Sequence, residues 1–104
     1  MIRIEFFRSK NGLLKGFKAK GHAEFAEEGQ DIVCSAVSAL IIAAAQGLGQ
    51  VAEKRVDGGQ SKGKLKCMLL DEPDIKSEMI LATMLLGLQE IKKQHPEYIK
   101  IIDS

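Results

Sequence analysis

The sequence predicts an α+β domain in the order β-β-α-β-β-α-β, with a mostly antiparallel sheet of about five strands packed with two helices, the long apolar helix largely buried. Three features predict it. Apolar and charged residues alternate over residues 2–9 and 64–69; an apolar run of about fourteen residues from Ile32 to Ala45 reads as a buried helix; and residues 73–94 carry an apolar stripe of helical period. A chain of 104 residues seldom divides into two bodies that each bury a core, so residues 1–104 are read as a single domain. With 45% hydrophobic residues and only two prolines, disordered and fibrous classes are excluded.

The first strand sets Ile2, Ile4 and Phe6 against Arg3 and Glu5. Asn11-Gly12 then supplies the positive backbone angles of a tight hairpin turn. The second strand runs from about Leu13 to Gly21, with Phe17 and Ala19 inward and Lys18 and Lys20 in solvent. Residues 22–30, HAEFAEEGQ, have no sustained period and read as a mobile loop. Asp31 is then the expected N-cap of the long helix. Ile32, Val33, Val37, Leu40, Ile41, Leu48 and Val51 lie on more than one face of that helix, which therefore needs cover nearly all round; a five-stranded sheet and a second helix can supply it, and a partner subunit can complete it. Gly58-Gly59 marks a turn, with a short strand before it and a strand after it in which Leu65, Cys67 and Leu69 point inward. The second helix spans 73–94, with Pro73 in its first turn and Leu81, Met84, Leu85, Leu88 and Ile91 as its stripe. His95 caps its end, Pro96 follows, and Tyr98 to Ile102 reads as the last strand.

Fifteen basic against fourteen acidic residues leave a net charge of +1, which predicts no general nucleic-acid binding. The lysines of the first hairpin, Lys10, Lys15, Lys18 and Lys20, read as a solvated face. The amino terminus lacks the apolar core of a secretory signal, and the apolar run is shorter than the roughly twenty residues that span a bilayer, so a cytoplasmic protein with no membrane partner is expected. Two cysteines in such a chain are read as free thiols.

An N-cap at Asp31 puts Cys34 at about the third helical position, beside amides that have no partner inside the helix. Such amides and a nearby imidazolium favour a thiolate. His22, twelve positions earlier, is the candidate imidazole, and a cysteine with a histidine forms a nucleophile with its own general acid and base. The helix-start amides are also candidate holders of an oxyanion. The same spacing fits a core cysteine and a solvated histidine equally well. Strict alternation turns His22 outward, so Gly21 must break or bulge the strand to re-aim it. Cys67 is assigned to core packing, no metal site is assigned because close ligand pairs are missing, and no cofactor is expected.

Gly21-His22-Ala23, followed by Asp31-Ile32-Val33-Cys34-Ser35-Ala36-Val37-Ser38, resembles the signature of the ribosomal-processing cysteine protease Prp family. Ile80-Leu81-Ala82-Thr83-Met84-Leu85 and Leu88-Gln89-Glu90-Ile91 extend the resemblance over nearly the whole chain. It implies an α/β sandwich that forms a homodimer and a cysteine endopeptidase that removes a short N-terminal extension from a large-subunit ribosomal protein during ribosome maturation. By the resemblance Cys34 is the nucleophile and His22 the base, while Asp31 and Ser38 match supporting positions. The chain departs from the family's glycine-rich loop, since Glu24-Phe25-Ala26-Glu27-Glu28 leaves only Gly29. Glu24, Glu27 and Glu28 are candidates to attract a basic flank of the substrate. The rival expectation is a non-catalytic ribosome-associated protein that binds the same extension or ribosomal RNA.

Overall fold

In a computed structural model, described for residues 1–21, 28–61 and 63–103 and by backbone alone for 28–31, the element order is the expected one. Strand β1 (Ile2–Arg8) pairs antiparallel with β2 (Leu14–Lys20), and alternation sorts β1 and Phe17–Lys20, while a bulge at Lys15 turns Leu14 inward as well. Ile2, Ile4, Phe6, Leu14, Phe17 and Ala19 are buried, while Arg3, Lys18 and Lys20 are exposed. Their turn differs from the expected one. Only Gly12 is left-handed (φ +85°); its amide donates to the Ser9 carbonyl at 3.0 Å, and Ser9 donates to Leu13 at 2.8 Å. One left-handed residue closes the longer turn, and the register slips between Phe7 and Arg8.

Helix α1 (Glu28–Gln50) begins four residues before the expected first helical residue, Ile32. Acidic residues suit a first helical turn, and Glu28 belongs to it. Asp31 is therefore the fourth helical residue and not the N-cap, and Cys34 is the seventh and not the third. Val33, Val37, Ile41, Ala44 and Leu48 form the buried seam. An 18-residue window within Ile32–Gln50 has a mean hydropathy of 2.0, so by length and composition α1 is apolar enough to cross a bilayer, beyond what the fourteen-residue run implied. Here that seam is spent on the domain's own core, and Ile32, Ile42 and Val51 on its other faces stay exposed.

After α1 come β3 (Val56–Ser61) and β4 (Lys64–Leu69). The strand β3 runs through Gly58 and Gly59 instead of ending before them. A Cβ at Gly58 would stand 2.7 Å from the Lys66 carbonyl oxygen, so glycine permits this edge strand to lie close to β4. Helix α2 (Ile75–Gln94) is capped by Asp74, whose carboxylate accepts from the Ser77 amide at 3.0 Å while the Asp74 amide donates to Ser77 Oγ at 3.0 Å. Pro73 thus precedes the cap and is not in the first turn. At the other end the His95 amide donates to the Ile91 carbonyl at 2.8 Å as C-cap, where the sequence placed it. Strand β5 (Ile99–Asp103) then pairs parallel with β1, which the α2 crossover makes possible.

The sheet order is β3-β4-β2-β1-β5. One buried cluster joins its inward residues to Val37 and Ile41 of α1 and to Leu81, Met84 and Leu88 of α2, so both helices cover one face. α2 lies against β2, β5 and α1. The helices approach where a Cβ at Gly87 would stand 3.0 Å from Leu40 and one at Gly47 would stand 3.4 Å from Ile80.

Candidate active site

Cys34 is half-buried and packs against the core cluster from the edge of the α1 seam. Leu40 and Gly47 mark the rim of α1 that meets α2. At 100° per residue Cys34 and Ser38 fall on the opposite rim, one turn apart, and Ser38 is half-buried as well. The thiol therefore sits at a border between core and solvent.

At the end of β2 stands Gly21, left-handed at φ +90°, whose amide donates to the Gly63 carbonyl at 3.2 Å. A Cβ there would collide with the Met1 carbonyl oxygen, so only glycine fits. The strand breaks at the residue where re-aiming of His22 required it. His22, Glu24 and Glu27, and with them most of the loop expected over residues 22–30, lie outside the described residues. Glu28 and Asp31 are placed by backbone alone, as the first and fourth residues of α1.

The early start of α1 changes the electrostatic reading. Unpaired amides and the positive end of the helix dipole belong to the first turn. Six residues of rise put Cys34 about 9 Å beyond that start, with its own amide inside the helical ladder. Helix-start amides accordingly do not sit at Cys34, and the expected oxyanion site is corrected on that ground.

Cys67 is the contrasting thiol. It is buried on β4 opposite Phe17, and burial pushes its thiol above the ordinary cysteine value, which keeps it protonated. Among the described residues no three His, Cys, Asp or Glu side chains gather as a metal site.

Against known proteins, the sequence profile of the cysteine protease Prp family matches residues 1–100. The chain belongs to the cysteine protease Prp family. The ribosomal processing cysteine protease Prp of Bacillus subtilis (strain 168) is 27% identical over 97% of this chain and 96% of its own length. A crystal structure of the ribosomal processing protease Prp from S. aureus with a substrate peptide superposes with a TM-score of 0.92 at 25% identity, covering all of both chains. A second S. aureus Prp structure, with a covalently linked product peptide, gives 0.88 at 26% identity, again over both whole chains. As a Prp-family member the chain is a cysteine protease of the ribosomal-processing class.

One surface escaped sequence reasoning. The outer face of the sheet holds a concavity of about 730 Å³ lined by Arg3, Lys18, Lys20, Lys64 and Lys66, among others. Alternation had already turned Lys18, Lys20, Lys64 and Lys66 outward. Their adjacency depends on the pairing of β2 with β4, for which the sequence carries no local signal.

Proposed function

We propose that the chain is a cytoplasmic cysteine endopeptidase that removes the N-terminal extension of a large-subunit ribosomal protein, with Cys34 as nucleophile and His22 as general acid and base. The observation that carries it is the half-buried Cys34 thiol on the open rim of α1, preceded by the Gly21 break, in a Prp-family chain. The covalently linked product peptide of the S. aureus relative supports a nucleophilic route.

In this mechanism the Cys34 thiol gives its proton to His22, Sγ attacks the scissile carbonyl carbon, and His22 passes that proton to the departing amine as the C–N bond breaks, leaving a thioester. His22 then takes a proton from water, which attacks the thioester, releases the new carboxyl terminus and restores the thiol. Asp31 and Ser38 stand three residues before and four after Cys34, on its face of the helix, and their proposed role is positioning around the dyad. Glu24, Glu27 and Glu28 attract the basic flank of the substrate. A second copy of the chain covers the exposed Ile42, Val51, Met79 and Leu86 to make the homodimer.

Incubation with a peptide spanning the host protein's extension, read by mass spectrometry, tests the proposal. The parent is expected to cut once, and Cys34→Ala or His22→Ala to lose at least about 10³-fold in rate with the fold retained. Intact peptide with the parent, or cutting by Cys34→Ala, overturns it.

A further inference from the structure

The strand order brings cations from four strands into one line. Lys100 on β5 pairs with Arg3 on β1, Arg3 with Lys20 on β2, and Lys20 with Lys64 on β4. Neighbouring strands stand about 4.8 Å apart, so the four charges occupy roughly 14 Å. The next row holds Ile102, Glu5, Lys18, Lys66 and Gly59, and beyond it come Phe7, Gly16, Met68 and Asp57. Lys66 is paired with Asp57 at 3.0 Å, and Lys18 lies 5.5 Å over the Phe7 ring. Arg3, Lys20, Lys64 and Lys100 are exposed and form no ion pair with a described residue. Among the described residues of these rows, Arg3, Lys18, Lys20, Lys64, Lys66 and Lys100 thus face only Glu5 and Asp57, whereas the whole chain is nearly balanced.

Like charges directly opposite one another destabilise a sheet, so this row works against folding. A phosphate chain is the ligand that removes the repulsion. Two features favour a single-stranded nucleic acid over an acidic peptide. The half-buried Phe7 ring stands two rows from the cations with the Lys18 ammonium 5.5 Å over it, and a base that stacks there takes the place of that ammonium. Gly59 carries no side chain between it and the ligand, which keeps the floor of the concavity low beside Lys66.

We propose that the outer face of the sheet binds single-stranded RNA, its phosphates held by Arg3, Lys20, Lys64 and Lys100 and a base resting near Phe7. The choice of RNA over DNA rests on the proposed ribosomal role; the charge argument does not. Helices cover the opposite face, so RNA bound here leaves the Cys34 rim accessible.

Fluorescence anisotropy with a labelled single-stranded RNA of about twelve nucleotides and the full chain provides the test. Four phosphate contacts predict a log–log salt slope near −3, an affinity loss of about fifty-fold between 50 and 200 mM salt. Replacing Lys20 and Lys64 together by Ala is expected to halve that slope, and replacing Lys92 and Lys93 at the end of α2 to leave it unchanged. Circular dichroism verifies that each variant is folded. No binding at 50 mM salt, an unaltered slope in the Lys20/Lys64 variant, or equal competition by polyglutamate overturns the proposal, the last in favour of an acidic protein partner. Equal binding of DNA of the same sequence overturns the choice of RNA. Cys34→Ala must bind RNA as the parent does, so failure of cleavage and failure of binding are read separately.

Discussion

The two faces of the sheet are made by the same strands from alternate residues, yet they do opposite things. The inner face spends Ile4, Phe6, Phe17 and Cys67 on one core with α1 and α2, while the outer face sets Arg3, Lys20, Lys64 and Lys100 in line and leaves them bare. A net charge of +1 conceals this segregation. Total charge therefore describes a chain's binding only after the fold has assigned its charges to faces.

The contrast is broken most severely by cutting into the inner face. Phe17→Ala is expected to cost about 3–5 kcal/mol in urea unfolding, since Phe17 is fully buried and no neighbour can fill the void. Gly21→Ala, at the border between faces, forces a left-handed backbone and a collision with Met1, for a loss of about 1–3 kcal/mol seen as a lower Tm. At the far end of β1, the Arg8 guanidinium grips Asp103 through two 2.8 Å bonds and holds that carboxyl below the usual carboxylate range. Its stability is present above the unfolded carboxylate value and lost as pH falls through the lowered folded value. Asp103→Asn should cost below about 1 kcal/mol at pH 7, because both groups are a third exposed and screened, and the difference should vanish in acid. Smallest is Lys20→Thr on the outer face, expected to stabilise by a few tenths of a kcal/mol by relieving the cationic row.

The two thiols sharpen the same comparison without mutation. Iodoacetamide should modify Cys34 at its rim well before Cys67, which burial keeps protonated and covered until the chain unfolds. Peptide mapping of early and late samples checks this, and equal labelling in the folded chain would contradict the burial of Cys67.

Much of the fold was legible because its signals are local. Alternation found β1, β2 and β4 and the orientation of their side chains, and the apolar stripe found α2 with Leu81, Met84 and Leu88 correctly inward. Caps were harder. Asp31 and Asp74 are both good N-cap residues, but only Asp74 is followed three residues later by a serine that completes a reciprocal pair, whereas Glu28 carries α1 past Asp31. The edge strand β3 was misplaced because Gly58-Gly59 signals a turn by composition and a close strand approach only in three dimensions. Of the candidate site, the motif identified Cys34 and the Gly21 break, yet its relation to the helix start depended on that single cap. The basic face was invisible because Arg3, Lys20, Lys64 and Lys100 come together only through long-range pairing.

That pairing also orders the assembly of the molecule in time. Ile2 lies beside Ile99 in the parallel β1–β5 pair, among the most distant contacts the chain makes. During synthesis the β1–β2 hairpin can close early from local contacts, but the other edge of β1 stays open until the last strand leaves the ribosome. An open edge beside Ile2, Ile4 and Phe6 is a template for wrong partners. The seal on that edge is β5, a strand of five residues.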